Sequence, residues 1–115
     1  MKNMTTAQMM TLKLTYHTRV ERRQRLISCL SRLGLGEIIL EVADYTHNNN
    51  CVRCLTSTGL IFIIDLNSHE LITGYMANIR QVASMYYAIG SSRIPDDVFN
   101  TVKYNEYNFS DLYAA

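Results

Sequence analysis

Two short polar turns fence off one apolar run, and that pattern constrains the fold more than any other feature of the chain. Ser57-Thr58-Gly59 precedes Leu60 to Leu66, and Asn67-Ser68-His69-Glu70 follows it. Residues 60–66 are apolar on both faces apart from Asp65, as a central strand would be. Cys51 to Thr56 and Leu71 to Ala77 are strand-like as well. Connections this short join antiparallel neighbours, so 51–77 reads as a three-stranded antiparallel meander.

Helical periodicity flanks the meander. Tyr16, Val20, Ile27 and Leu30 recur at helical spacing, Leu26 and Leu33 widen the stripe, and Gly34 is a natural stop. Thr5 or Thr6 suits the cap of an earlier turn. Residues 35–45 fit two patterns: Ile38, Val42 and Tyr45 have helical spacing, whereas Ile38-Ile39-Leu40 suits a strand. A short helix from near Gly36 is the expectation. Asn78 is a good N-cap for a helix over 79–89, where Ile79, Val82, Ala83 and Tyr86 share a face. Pro95, Asp96 and Asp97 suit the start of a last helix, with Val98, Phe99 and Val102 as its apolar face. Tyr107, Phe109, Leu112 and Tyr113 are expected to pack back from the tail. The fold class is α+β: N-terminal helices, a three-stranded meander, then C-terminal helices over 79–105. A length of 115 residues suits a single domain over 1–115.

Charge divides the chain unevenly. Residues 1–34 hold seven basic side chains against Glu21, a net +6, and residues 35–115 carry a net −5. A basic helical segment on an acidic body favours an anionic partner, nucleic acid first. No apolar run nears the roughly 18 residues of a membrane span, so no membrane partner is expected. Lys2 has no apolar stretch behind it, so no signal peptide is expected. Three cysteines without a framework fit a reducing cytoplasm.

Four constellations carry candidate chemistry. On the basic helix, at about 100° per residue, Arg19 and Arg23 fall inside the apolar arc, Arg22 at its edge, and Arg25 and Arg32 outside. Guanidiniums on such a stripe suit a phosphate clamp, or pack their stems and reach the rim. His17, one turn before Glu21, is placed for proton transfer, with arginine to balance charge on phosphate. Alternation on the last strand puts Thr73 and Tyr75 on one face and Gly74 on the other. Their hydroxyls then stand about 7 Å apart, as a floor for a ligand or a half-exposed strand. Gly74 itself implies a close approach. Finally, His47 with Cys51 and Cys54 invites a zinc reading, but only Cys29 is left as a fourth ligand and the two strand cysteines face opposite ways. No metal and no cofactor are expected. The tyrosines Tyr86, Tyr87, Tyr104, Tyr107 and Tyr113 suit base stacking or a protein interface, with Tyr86 better placed in the core.

The stretches "YHTRVERRQR" at 16–25 and "LITGY" at 71–75 resemble the barnase–EndoU–colicin–RelE nuclease superfamily, in which a helix with a His-Ala-x-x-Arg-x-x-x-Arg flavour precedes strands ending in Val-x-Thr-x-Tyr. The resemblance spans residues 16–77. Glu21 stands where that pattern has arginine, and the helices from 79 onward are additional to the minimal fold. It implies a metal-independent endoribonuclease-like protein of phage or mobile-element type, often a toxin acting on RNA. His17, Arg22 or Arg23, Thr73 and Tyr75 would then be the catalytic set, with Lys13, Arg19, Arg25 and Arg32 holding the nucleic acid. Because such folds also occur as inactive derivatives, the enzyme assignment stays open. The competing expectation is a non-enzymatic, anti-defence inhibitor or adaptor that binds a host protein or nucleoprotein through the acidic, tyrosine-rich body.

Overall fold

The computed structural model of the chain describes residues 13–14, 23–44 and 50–113. The elements are β1 (Lys13–Leu14), α1 (Arg23–Leu33), β2 (Ile38–Ala43), β3 (Cys51–Thr56), β4 (Leu60–Asp65), β5 (Glu70–Met76), α2 (Ile79–Ala88) and α3 (Asp96–Asn108). A 3-10 turn, Ser110–Tyr113, follows. Strands β2 to β5 form an antiparallel meander, and β1 joins the free side of β5 in parallel. The sheet order is β1-β5-β4-β3-β2.

The α+β class holds, but the meander has four antiparallel strands rather than three. The helix expected from Gly36 is instead strand β2. Gly34 and Gly36 both have positive φ, 73° and 71°, which stops any helix there. Beyond them the apolar positions divide between the sheet's two faces: Ile38 packs on one core, Leu40 and Val42 on the other. A bulge at Ile39 absorbs the odd residue. Burying both sets against β3 outweighs the local helical spacing.

Strand β4 is central, and Leu60 to Ile64 are all buried. Burial on this scale contributes about 1.5–3 kcal/mol per large side chain. Helices cover both faces. On one, Leu26 and Cys29 of α1 pack with Cys54, Phe62, Ile64, Met76 and Leu112. On the other, Val82, Met85 and Tyr86 of α2 and Val98 and Val102 of α3 pack with Leu55 and Ile61. The buried stripe of α1 is Leu26, Cys29, Leu30 and Leu33, so Ile27, expected inside, is 44% exposed.

Local signals place the C-terminal helices. Asn78 and Gln81 form a reciprocal capping box at the start of α2. Helix α3 opens behind Pro95 and runs to Asn108, past the expected end at 105. Phe109, Leu112 and Tyr113 do return to the α1-side core, and the Tyr113 hydroxyl donates to the Ala77 carbonyl at 2.8 Å. Tyr107, expected to return with them, is 87% exposed.

Candidate functional site

Gly74 fixes the orientation of β5. A Cβ built on it would meet the Phe62 ring at 2.8 Å and Leu26 Cδ1 at 3.2 Å, so Gly74 faces α1. The close approach implied by a glycine at this position is that of Phe62 and Leu26. Thr73 and Tyr75 therefore face the other way, and Tyr75 packs beside the core under α2 and α3. The sheet register runs Val42, Arg53, Ile63, Thr73 in one transverse row and Leu40, Leu55, Ile61, Tyr75 in the next.

Arg53 shares the Tyr75 face, because its strand neighbour Cys54 lies in the α1-side core and Leu55 in the opposite one. Its guanidinium lies 3.6 Å from the buried carboxylate of Asp44. The Arg53 side chain is 23% exposed, and its Nε is shut off from solvent without an acceptor among the described residues. Burial raises the pKa of Tyr75, Arg53 works against that rise, and Asp44 adds to it. The phenol is thus a protonated hydrogen-bond donor near neutral pH.

Sequence reasoning missed Arg53 and Asp44. The available signal was alternation, since Arg53 is the polar exception at an inward position between Cys51 and Leu55. Asp44 was hidden behind the helical reading of 35–45.

Of the expected arginines, Arg23 opens α1 and so belongs to an element on the face opposite Thr73 and Tyr75. Arg25 and Arg32 were expected to point away from the apolar stripe. Arg25 is instead half-buried, with its Nε closed to solvent and lacking an acceptor among the described residues. Arg32 pairs with Asp111 and stacks over the Phe109 ring, 4.9 Å from its centroid. Lys13 lies in β1, which pairs Lys13 with Glu70 and Leu14 with Leu71 on the strand that bears Thr73 and Tyr75. His17, Arg19 and Arg22 lie outside the described residues, as do His47 and the first helical turn expected near Thr5.

Cys51 and Cys54 are buried, with Cys54 in the α1-side core. Burial, helped by Glu41, pushes the Cys54 thiol up to about 12, so it stays protonated and is a poor metal ligand. Among the described residues no group of three or more His, Cys, Asp or Glu is arranged to hold a metal ion. No helix among them is long and apolar enough to cross a membrane.

On the surface, Tyr87, Tyr104 and Tyr107 are 78%, 60% and 87% exposed. Asp97, Thr101, Val98, Ile39 and Gly59 help line a cleft of about 70 Å³. That is well below the roughly 300–1,000 Å³ of a small-molecule site. No family model, curated protein or solved structure matches the chain.

Proposed function

We propose that this chain is an RNA-directed protein of nuclease-like build, a metal-independent endoribonuclease of mobile-element type acting in the cytoplasm. The observation that carries this reading is the pairing of β1 with β5. Leu14, three positions before His17, sits beside Leu71, two positions before Thr73. The strands are parallel, so β1 heads in the direction in which Thr73 and Tyr75 follow on β5. The basic N-terminal segment is thereby tied to the strand that carries the hydroxyl pair.

In this reading His17 accepts the proton of a ribose 2′-hydroxyl as that oxygen attacks the adjacent phosphorus. The bond from phosphorus to the 5′-oxygen breaks as the protonated His17 returns its proton to that oxygen, leaving a 2′,3′-cyclic phosphate and a 5′-hydroxyl. The protonated Tyr75 and Thr73 donate hydrogen bonds to the phosphate, and Arg19 and Arg22 supply positive charge to the RNA strand. The test is digestion of total RNA with a chelator present. Fragments from wild type and intact RNA with His17→Ala support the reading, and intact RNA in both overturns it.

A second reading is favoured by a separate observation. Three tyrosines stand well exposed on α2 and α3, with Asp96 and Asp97 at the start of α3. Exposed tyrosine is enriched at protein interfaces. An inhibitor or adaptor would use that surface to hold a host protein. Capture of one partner by wild type, lost with Tyr104→Ser and Tyr107→Ser and indifferent to His17→Ala, would favour it over the nuclease.

A further inference from the structure

We infer that Arg53 is the anion-holding residue of the Thr73–Tyr75 face and binds a backbone phosphate of the RNA, an inference that rests on the RNA reading above. Position comes first. Arg53 and Thr73 lie in one transverse row with Ile63 between them, so both side chains rise from the same face. Two strand spacings separate their Cα atoms by about 10 Å, a gap that a long arginine side chain narrows.

The donor inventory comes second. Buried N–H groups are nearly always paired, and the buried Nε of Arg53 meets no acceptor among the described residues. Asp44 stands at 3.6 Å, beyond hydrogen-bond length, so it anchors the guanidinium by charge without occupying its donors. Asp44 is itself buried, which keeps this attraction poorly screened by salt. The Arg53 side chain as a whole keeps 23% exposure while its Nε is closed to solvent, so the phosphate contact inferred is with the terminal nitrogens of the guanidinium. A planar guanidinium fork matches phosphate oxygens in pairs. The arginine of α1 with the same unpaired Nε, Arg25, does not compete for this role, because α1 lies across the sheet from Thr73 and Tyr75.

The competing account makes Arg53 only a strut for Asp44. Binding of a labelled single-stranded RNA oligonucleotide, followed by anisotropy over a salt series, separates the two. Arg53→Gln should bind about tenfold more weakly, as expected for one lost charged hydrogen bond. Its slope of log affinity against log salt should be shallower by about 0.7, the value of one phosphate contact on a single strand. Arg53→Lys should keep the slope yet bind more weakly, since an ammonium lacks the fork. A folded Arg53→Gln with the wild-type slope overturns the inference while leaving the RNA reading standing. Where Arg53→Gln fails to fold, the wild-type protein decides. Its Arg53 Nε–H signal by NMR, assigned through its absence in Arg53→Lys, should shift when the oligonucleotide is added, and an unmoved signal overturns the inference. A wild-type protein that binds no RNA at any salt removes the RNA reading and the role of Arg53 together.

Discussion

Phe62 on β4 occupies the space that a side chain at its β5 partner Gly74 would need, with the ring 2.8 Å from an added Cβ. Leu26 of α1 closes the same spot at 3.2 Å. Gly74 is thus a point where Leu26 of α1 packs directly onto β5, and Thr73 and Tyr75, its strand neighbours, face the other way. Gly74→Ala should cost about 1–3 kcal/mol, because the buried ring and helix must move to admit a methyl group. A thermal melt should show a fall of several degrees. A midpoint unchanged within a degree would mean that α1 does not seat on Gly74.

Asn105 and Gly59 form a second lock. The buried Asn105 amide donates to the Thr58 carbonyl at 2.9 Å, tying α3 to the β3–β4 turn. Gly59 has a φ of 91°, and a Cβ there would clash with Asn105 Nδ2. Asn105→Ala should cost about 1–3 kcal/mol, the penalty of breaking a buried hydrogen bond. Gly59→Ala should destabilise as well. The double variant should cost less than the two single costs together, because removing the amide relieves the clash and leaves only the strained φ. Strict additivity in urea unfolding would contradict the contact.

Alkaline pH should weaken the fold. Cys54 is pushed up to about 12 from 9.0, chiefly by burial and then by Glu41, and burial also raises Cys29, Tyr75 and Tyr86. Between the unfolded and folded values the native state holds more protons than the unfolded chain, so stability falls as pH rises. For Cys54 the stabilisation is complete below pH 9 and is lost progressively from there to about 12. Urea midpoints at pH 7, 9 and 10.5 should decline over the last interval, and the decline should be shallower in Cys54→Ala. A flat profile would contradict the burial of these groups.

The exposed tyrosines distinguish the two functional readings at little structural cost. Tyr87→Ser with Tyr107→Ser should change stability by less than about 0.5 kcal/mol, since both side chains project into solvent. RNA cleavage should be unaffected in this variant. A loss of cleavage with an unchanged melt would move the site onto α2 and α3.

The meander was legible because two polar turns and a doubly apolar strand leave few alternatives. The capping residues of α2 and α3 were legible because Asn78 and Pro95 act through local backbone chemistry. Strand β2 was not, because Ile38 and Val42 satisfy a period of four and a period of two alike, and only the partner strand β3 decides between them. The relation of Thr73 and Tyr75 to Gly74 followed from alternation. Their separation from α1 did not, since which helix covers which face depends on where Leu26 seats. Arg53 was overlooked because its nearest charge partner, Asp44, is remote from the strand's own pattern.

The most direct test is digestion of a single-stranded RNA of mixed sequence in chelator by wild type, His17→Ala and Tyr75→Phe, each first shown to be folded by its thermal melt. Tyr75→Phe keeps the packed ring and removes only the hydroxyl. The account predicts specific fragments from wild type and at least a hundredfold slower cleavage by both variants, in keeping with the loss of a positioned base at His17 and of a hydrogen-bond donor to the phosphate at Tyr75. Intact RNA with wild type, or equal cleavage by all three proteins, would contradict it.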